Sequence, residues 1–155
     1  MKYSERVDRA SRHISASPMS AYRAFSEPGS ILQWMAPAGM AAAMIAFDFR
    51  EGGSYRMRLT YSEPGQGKTT ADADEFSAQW VRLIEGKYIE QAITFDSADP
   101  LFAGVMRMTW TFEAEEDGTL VTVRCENVLA GIRPEDHQVG LNSTLANLAE
   151  FLESE

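Results

Sequence analysis

At 155 residues, with 45% hydrophobic and 24% charged side chains, the chain has the make-up of one globular domain and can bury about two thirds of the surface its unfolded form exposes. A formal charge of -9 repels phosphate backbones and anionic membrane surfaces unless basic residues cluster, and here they are scattered, so nucleic acid is excluded as an expected partner. The single Cys rules out an intramolecular disulfide, no apolar run follows the charges of "MKYSERVDRASRHISA", and no window approaches the roughly 18 apolar residues of a membrane span, so the expected compartment is the cytoplasm.

The period of the apolar residues switches between 2 and about 3.6 along the chain, and the switches mark the elements. "RVDRASRHISA" predicts a first strand. "SPMSAYRAFSEPGSILQWM" opens with Ser17 as a helix N-cap and Pro18 at the first helical position. Ala21, Tyr22 and Phe25 give this helix an apolar stripe. Glu27-Pro28 breaks it and starts a second short helix carrying Ile31, Leu32, Trp34 and Met35. From Ala41 to Val128 six strands follow: "AAAMIAFDFR", "GSYRMRLTY", "ADADEFSAQWVRLI", "KYIEQAITF", "GVMRMTWTFEA" and "TLVTVRCENV". Gly52-Gly53, Glu85-Gly86 and Asp117-Gly118 stand between alternating runs, which favours an antiparallel meander, and the longer "SEPGQGKTT" predicts a flexible loop. "RPEDHQVGLNSTLANLAEFLESE" then puts Pro134 in a first turn and repeats Leu141, Leu145, Leu148 and Leu152 on one helical face.

The order is strand, two short helices, six strands and a closing helix, an α+β arrangement. One apolar helix face and one apolar sheet face must both be buried, and a curved antiparallel sheet wrapped around the last helix does this. Their mismatch in curvature predicts a cavity. Alternation assigns its lining to Tyr55, Met57, Leu59 and Tyr61 in one strand, Met106, Met108, Trp110 and Phe112 in another, and Val121, Val123 and Cys125 in a third. Arg56, Arg58, Arg107 and Arg124 fall on the solvent face. Such a Met- and aromatic-rich surface either receives an irregular apolar ligand or fills its own gaps, and periodicity leaves both open.

The stretch "CENVLAGIRPEDH" brings the only cysteine, an asparagine and one of two histidines within thirteen residues, the groups a cysteine hydrolase needs. Cys125, however, follows two valines on a core face among acids, so a buried, inert thiol is expected. His137, after Glu135 and Asp136 at a helix start, is expected neutral unless paired. It reads as a surface or capping histidine bonded to the loop, with a polar gate at the cavity mouth as the alternative. Asn127 is expected to bond the following loop's backbone, or else a ligand carbonyl. Gln91 shares parity with Ile89, Ile93 and Phe95, so its carboxamide is expected to face the cavity. Asp72 and Asp74 lack further acidic or His partners and read as a solvated strand start. "GQGK" lacks a phosphate-loop pattern, and His13 has no companions for a zinc site, so no metal and no cofactor is expected. Trp34 and Trp80 are walls or core.

"ASRHISASPMSAYRAF", "ILQWMAP", "FDFREGGSYRM", "GKTTADAD", "MTWTFE" and "VTVRCENVLAGIRPEDHQVGLNSTLANLAEFL" resemble the START-like superfamily, also called SRPBCC, and within it the heat-shock-protein ATPase activator homologues. The resemblance implies one domain over residues 1–155 with a helix-grip fold, in which the sheet grips the C-terminal helix around a deep apolar pocket. The superfamily also contains lipid carriers, polyketide cyclases and plant-hormone receptors, so its fold does not fix a function. The expected function is binding of an apolar or aromatic small molecule by Trp34, Tyr55, Met57, Gln91, Met106, Met108, Trp110, Asn127 and His137. The alternatives are a cyclase- or lyase-type enzyme in which Gln91, Asn127 or His137 polarises a carbonyl or moves a proton, and a co-chaperone-like interaction module. The expected partner is thus a hydrophobic small molecule, with no membrane insertion and a homodimer left open.

Overall fold

The computed structural model describes residues 6–35, 40–61, 73–97 and 99–154. The first strand, β1 (Val7–Ile14), leads into α1 (Pro18–Arg23) and α2 (Pro28–Trp34). Six strands follow: β2 (Met40–Phe47), β3 (Ser54–Tyr61), β4 (Ala73–Ile84), β5 (Tyr88–Phe95), β6 (Met106–Glu115) and β7 (Gly118–Glu126). A 3-10 turn, Pro100–Phe102, precedes β6, and α3 (Pro134–Glu153) follows β7. Ser17 caps α1 as its sequence position predicts, its hydroxyl accepting from the Ser20 amide at 3.1 Å. The expected loop "SEPGQGKTT", including "GQGK", lies outside the described residues, as does Asp72.

All seven strands form one antiparallel sheet in the order β1-β7-β6-β5-β4-β3-β2. β2 to β7 are a simple meander, and β1 adds to β7 at the opposite edge from β2. The turns use the residues that their backbones demand. Asp117 takes a φ of 62° between β6 and β7, a left-handed value that Asp tolerates better than most residues. Gly118 beside it has no room for a side chain, since a Cβ there would stand 2.2 Å from the Ile14 carbonyl oxygen where β1 passes. Register shifts between Met44 and Ala46 and between Trp80 and Arg82 mark bulges, which bend a sheet and increase its twist.

The concave face carries the core and the convex face the charges. On the outer face Arg56 of β3 pairs with Glu75 of β4 and with Asp96 just past β5, and Arg107 of β6 with Glu90 of β5. Such half-exposed pairs contribute only about 0–1 kcal/mol each. On the inner face, α3 turns Leu141, Leu145, Leu148 and Leu152 into the core, with Thr144 and Ala149 between them, and lies against β1 and α2. Below α1 and α2, Phe25, Trp34 and Trp110 meet edge to face with ring centroids 4.7 to 5.9 Å apart. Each side chain of this size contributes about 1.5–3 kcal/mol by leaving water. Trp80 is fully buried as well, against Phe47, Phe49 and Tyr55, so Trp34 and Trp80 both belong to the core.

Candidate functional site

The aromatic cluster fills only half of the concave face. β6 shows the division within one strand, because Trp110 and Phe112 pack under α1 and α2 while Met106 and Met108, four and two residues back from Trp110, lie beyond that cover. The uncovered half is a cavity of about 590 Å³. Its floor is Tyr55 and Leu59 of β3, Phe76 of β4, Ile93 and Phe95 of β5, and Met106 and Met108 of β6. Its roof is the loop 131–133 and the N-terminal half of α3 down to Thr144, and Met35 and Phe102 close its sides. Arg133, Asp136 and Val139 line it while exposed, so the cavity reaches solvent at the first turns of α3.

Three polar groups inside this apolar lining define its chemistry. Asp74 takes an inward position on β4 that its strand neighbours Phe76, Ala78 and Trp80 give to apolar side chains, and it is 1% exposed. It engages a partner within the protein. The Thr144 hydroxyl donates to the Gly140 carbonyl at 2.9 Å and keeps its lone pairs as acceptors. The Tyr55 phenol is buried, and burial drives its pKa far above the usual tyrosine value, so it faces the cavity as a neutral hydroxyl. Gln91 stands behind it. Its Oε1 accepts from Trp110 Nε1 at 3.2 Å, while Nε2 is directed at Tyr55 without a well-formed hydrogen bond among the described residues.

At the rim, Arg6, Asp8 and His137 tie the first strand to the roof. The Asp8 carboxylate accepts from Arg6 at 2.6 Å and lies 2.6 Å from His137 Nδ1, and the Arg6 guanidinium also donates to the Ile132 carbonyl. Arg6 pulls the Asp8 carboxyl below the usual range, burial opposes this, and His137 adds to the lowering. The loop before α3 is held from its other side by the Gly131 amide donating to Leu101 at 2.7 Å and by Asn127 Nδ2 donating to Val105 at 2.6 Å. These contacts fix the N-terminal end of the cavity roof to β1 and to the loop before β6.

Of the residues that the sequence assigned to the lining or the site, Tyr55, Leu59, Met106, Met108 and His137 line the cavity. Trp34, Met57, Gln91 and Trp110 are fully buried behind its walls, where the Trp34 indole donates to Ala24 at 3.0 Å. Gln91 thus turns its carboxamide to Trp110 and Tyr55, not into open space. The Asn127 carboxamide donates to Val105 in the loop before β6, and its φ of 55° turns the chain at the end of β7. His137 is largely buried rather than on the surface, its amide donates to the Arg133 carbonyl of the preceding loop at 2.9 Å, and its ring meets Asp8 of β1. Val121, Val123, Cys125 and Phe112 are core rather than lining, and the Tyr61 side chain lies outside the described residues. Cys125 is 0% exposed, with its thiol pushed up to about 12 by burial and then by Asp8. Asp74 contradicts the expectation of a solvated strand start. The signal was present in the alternation Asp74, Phe76, Ala78, Trp80, which assigns the acid to the apolar face.

His13 bonds Glu115 at 2.8 Å on the surface, and among the described residues no group of three or more His, Cys, Asp or Glu could hold a metal ion. Nor is any described helix long and apolar enough to cross a membrane.

The family model described as Activator of Hsp90 ATPase homolog 1-like protein matches residues 15–153. A crystal structure of a protein from Chromobacterium violaceum is 28% identical, with 96% of this chain and 98% of that one covered and a TM-score of 0.86. A structure from Rhizobium leguminosarum shares the fold at 21% identity, 99% and 98% coverage and a TM-score of 0.73. The same fold recurs in an AHSA1-like protein from Aeromonas hydrophila at 16% identity, 96% and 93% coverage and a TM-score of 0.72. No curated protein matches the chain.

Proposed function

Since the chain belongs to the Activator of Hsp90 ATPase homolog 1-like family, within the SRPBCC superfamily, whose fold suits a ligand-binding or a co-chaperone-like domain, we propose that this member binds an apolar or aromatic small molecule beneath α3. The observation that carries this reading is the cavity of about 590 Å³, with aromatic and Met walls and few polar groups. That size and composition are usual for small-molecule sites, whereas a filled core leaves few voids larger than a water molecule. Phe25, Trp34 and Trp110, and Phe49 with Trp80, are taken up in edge-to-face packing away from this space.

A cyclase- or lyase-type reaction in the same cavity has one supporting observation, namely that His137 lines it while Asp8 orients the imidazole through Nδ1. Gln91 and Asn127 give this reading no support, as neither is among the described residues that line the cavity. Binding is tested with N-phenyl-1-naphthylamine, a neutral apolar fluorophore. One saturable site, with a rise in melting temperature as the dye is added, supports the reading. Titration without saturation, or with no thermal shift, refutes it.

A further inference from the structure

We propose that the ligand of this cavity is a neutral ketone, an apolar or aromatic body carrying a carbonyl oxygen, and that the Tyr55 hydroxyl donates to that oxygen; the inference rests on the cavity being a ligand site. Tyr55 is 2% exposed and lines the cavity floor, its ring flanked by Phe47, Phe76 and Trp80. The polar atoms around this ring are out of balance. Trp110 Nε1 can only donate, so the Gln91 atom 3.2 Å from it is the carboxamide oxygen, and the other end of the carboxamide is the amide nitrogen. That Nε2 and Trp80 Nε1 are buried without a hydrogen-bond partner among the described residues, and both are donors. They share one patch of the inner face, because Gln91 stands opposite Trp80 in the ladder between β4 and β5, and the Trp80 and Tyr55 rings pack with centroids 5.2 Å apart.

Gln91 Nε2 is directed at the Tyr55 oxygen. A phenol approached there by a donor turns its own single proton elsewhere, and the side chains of Phe47, Phe76 and Trp80 offer it no acceptor. The open side of Tyr55 is the cavity. The patch therefore holds more donors than acceptors, and a ligand restores the balance by bringing lone pairs rather than protons. Burial keeps the phenol neutral, so it offers a hydrogen bond without a charge. A carboxylate placed against Tyr55 would exchange its hydration for a neutral donor, whereas a ketone gives up far less. A hydrocarbon of the same shape would leave the O–H facing apolar atoms, with its hydrogen bond unmade. Gln91 acts here as a positioning residue, aiming the hydroxyl from behind the cavity wall without touching the ligand.

The test displaces bound N-phenyl-1-naphthylamine with benzophenone and with 1,1-diphenylethylene, which keeps the shape but has a methylene in place of the oxygen, on the wild type and Tyr55→Phe. The ratio of the two affinities cancels any general change in the cavity. The substitution is expected to weaken benzophenone about fivefold relative to 1,1-diphenylethylene. A second measurement decides the matter even if the variant does not fold. The infrared carbonyl stretch of isotope-labelled benzophenone bound to the wild type should lie below its position in hexane, as that of a hydrogen-bonded ketone does, and should return toward it in Tyr55→Phe. A ratio that Tyr55→Phe leaves unchanged, or a wild-type stretch at the hexane position, overturns the ligand class alone. So does benzophenone that fails to displace a dye the wild type binds. A wild type that never binds the dye overturns the cavity reading itself, and this proposal with it.

Discussion

His137 Nδ1 in the first turn of α3 stands 2.6 Å from Asp8 Oδ2 in β1, so the first strand and the start of the last helix meet at the cavity rim. Both side chains are largely buried, at 13% and 12% exposure, and Arg6 completes the group. Because the Asp8 carboxyl is held below its ordinary range in the fold, it adds stability that is fully present above its unfolded pKa of about 4. That contribution is lost as pH falls through the lower folded value. Asp8→Asn is expected to cost about 1–3 kcal/mol at pH 7, and at about pH 3, below the unfolded pKa, its urea midpoint should lie closer to that of the wild type. A gap that is the same at both pH values would show that the ion pairs contribute nothing.

Leu145 lies in the middle of the buried face of α3 and is 1% exposed. Leu145→Ala should destabilise by roughly 2–5 kcal/mol, since a rigid sheet on one side and α3 itself on the other allow little collapse around the lost methyl groups. Denaturant melts measure this directly. A loss below about half a kilocalorie is outside what a buried leucine gives.

The Cys125 thiol, buried and pushed up to about 12, should react slowly with iodoacetamide at pH 7.5. The expected rate is at least about a hundredfold below that of a free thiol, whose pKa is about 8.5, and it should become ordinary in denaturing urea. Rapid labelling of the native protein would require an opening that exposes β7 from inside, and would return the thiol to consideration as a nucleophile.

The elements were legible in the sequence because each depends on neighbours along the chain. Ser17-Pro18 starts α1, Pro134 starts α3, and alternation places the six meander strands without any tertiary knowledge. What alternation cannot show is where along an inward face the cover stops. Met106 and Trp110 have the same parity on β6, yet one lines the cavity and the other packs against Phe25, because α1 and α2 reach only so far across the sheet. The Asp8–His137 contact was hidden for a related reason. It joins residues 129 positions apart, and no local pattern marks either as the other's partner. Asp74 differs, since its parity already pointed inward and composition alone argued it outward.

Met106 sits between these two regions, 4% exposed and part of the cavity lining, and so reports whether the space beside it is open. Met106→Trp adds an indole where the wild type has a flexible thioether. If the cavity is open as described, the ring extends into it, so the melting temperature should change little while affinity for N-phenyl-1-naphthylamine falls about tenfold. Were the side chains of Met108, Ile93 and Phe102 to fill the space in solution, the same ring would overpack the core and destabilise by roughly 1–3 kcal/mol, with no dye site to lose. Thermal melts and dye titration on the two proteins therefore give opposite patterns. A destabilised variant whose parent never bound dye would reduce the concave face to a structural role, whereas a stable variant with weakened dye binding would locate the ligand against β6.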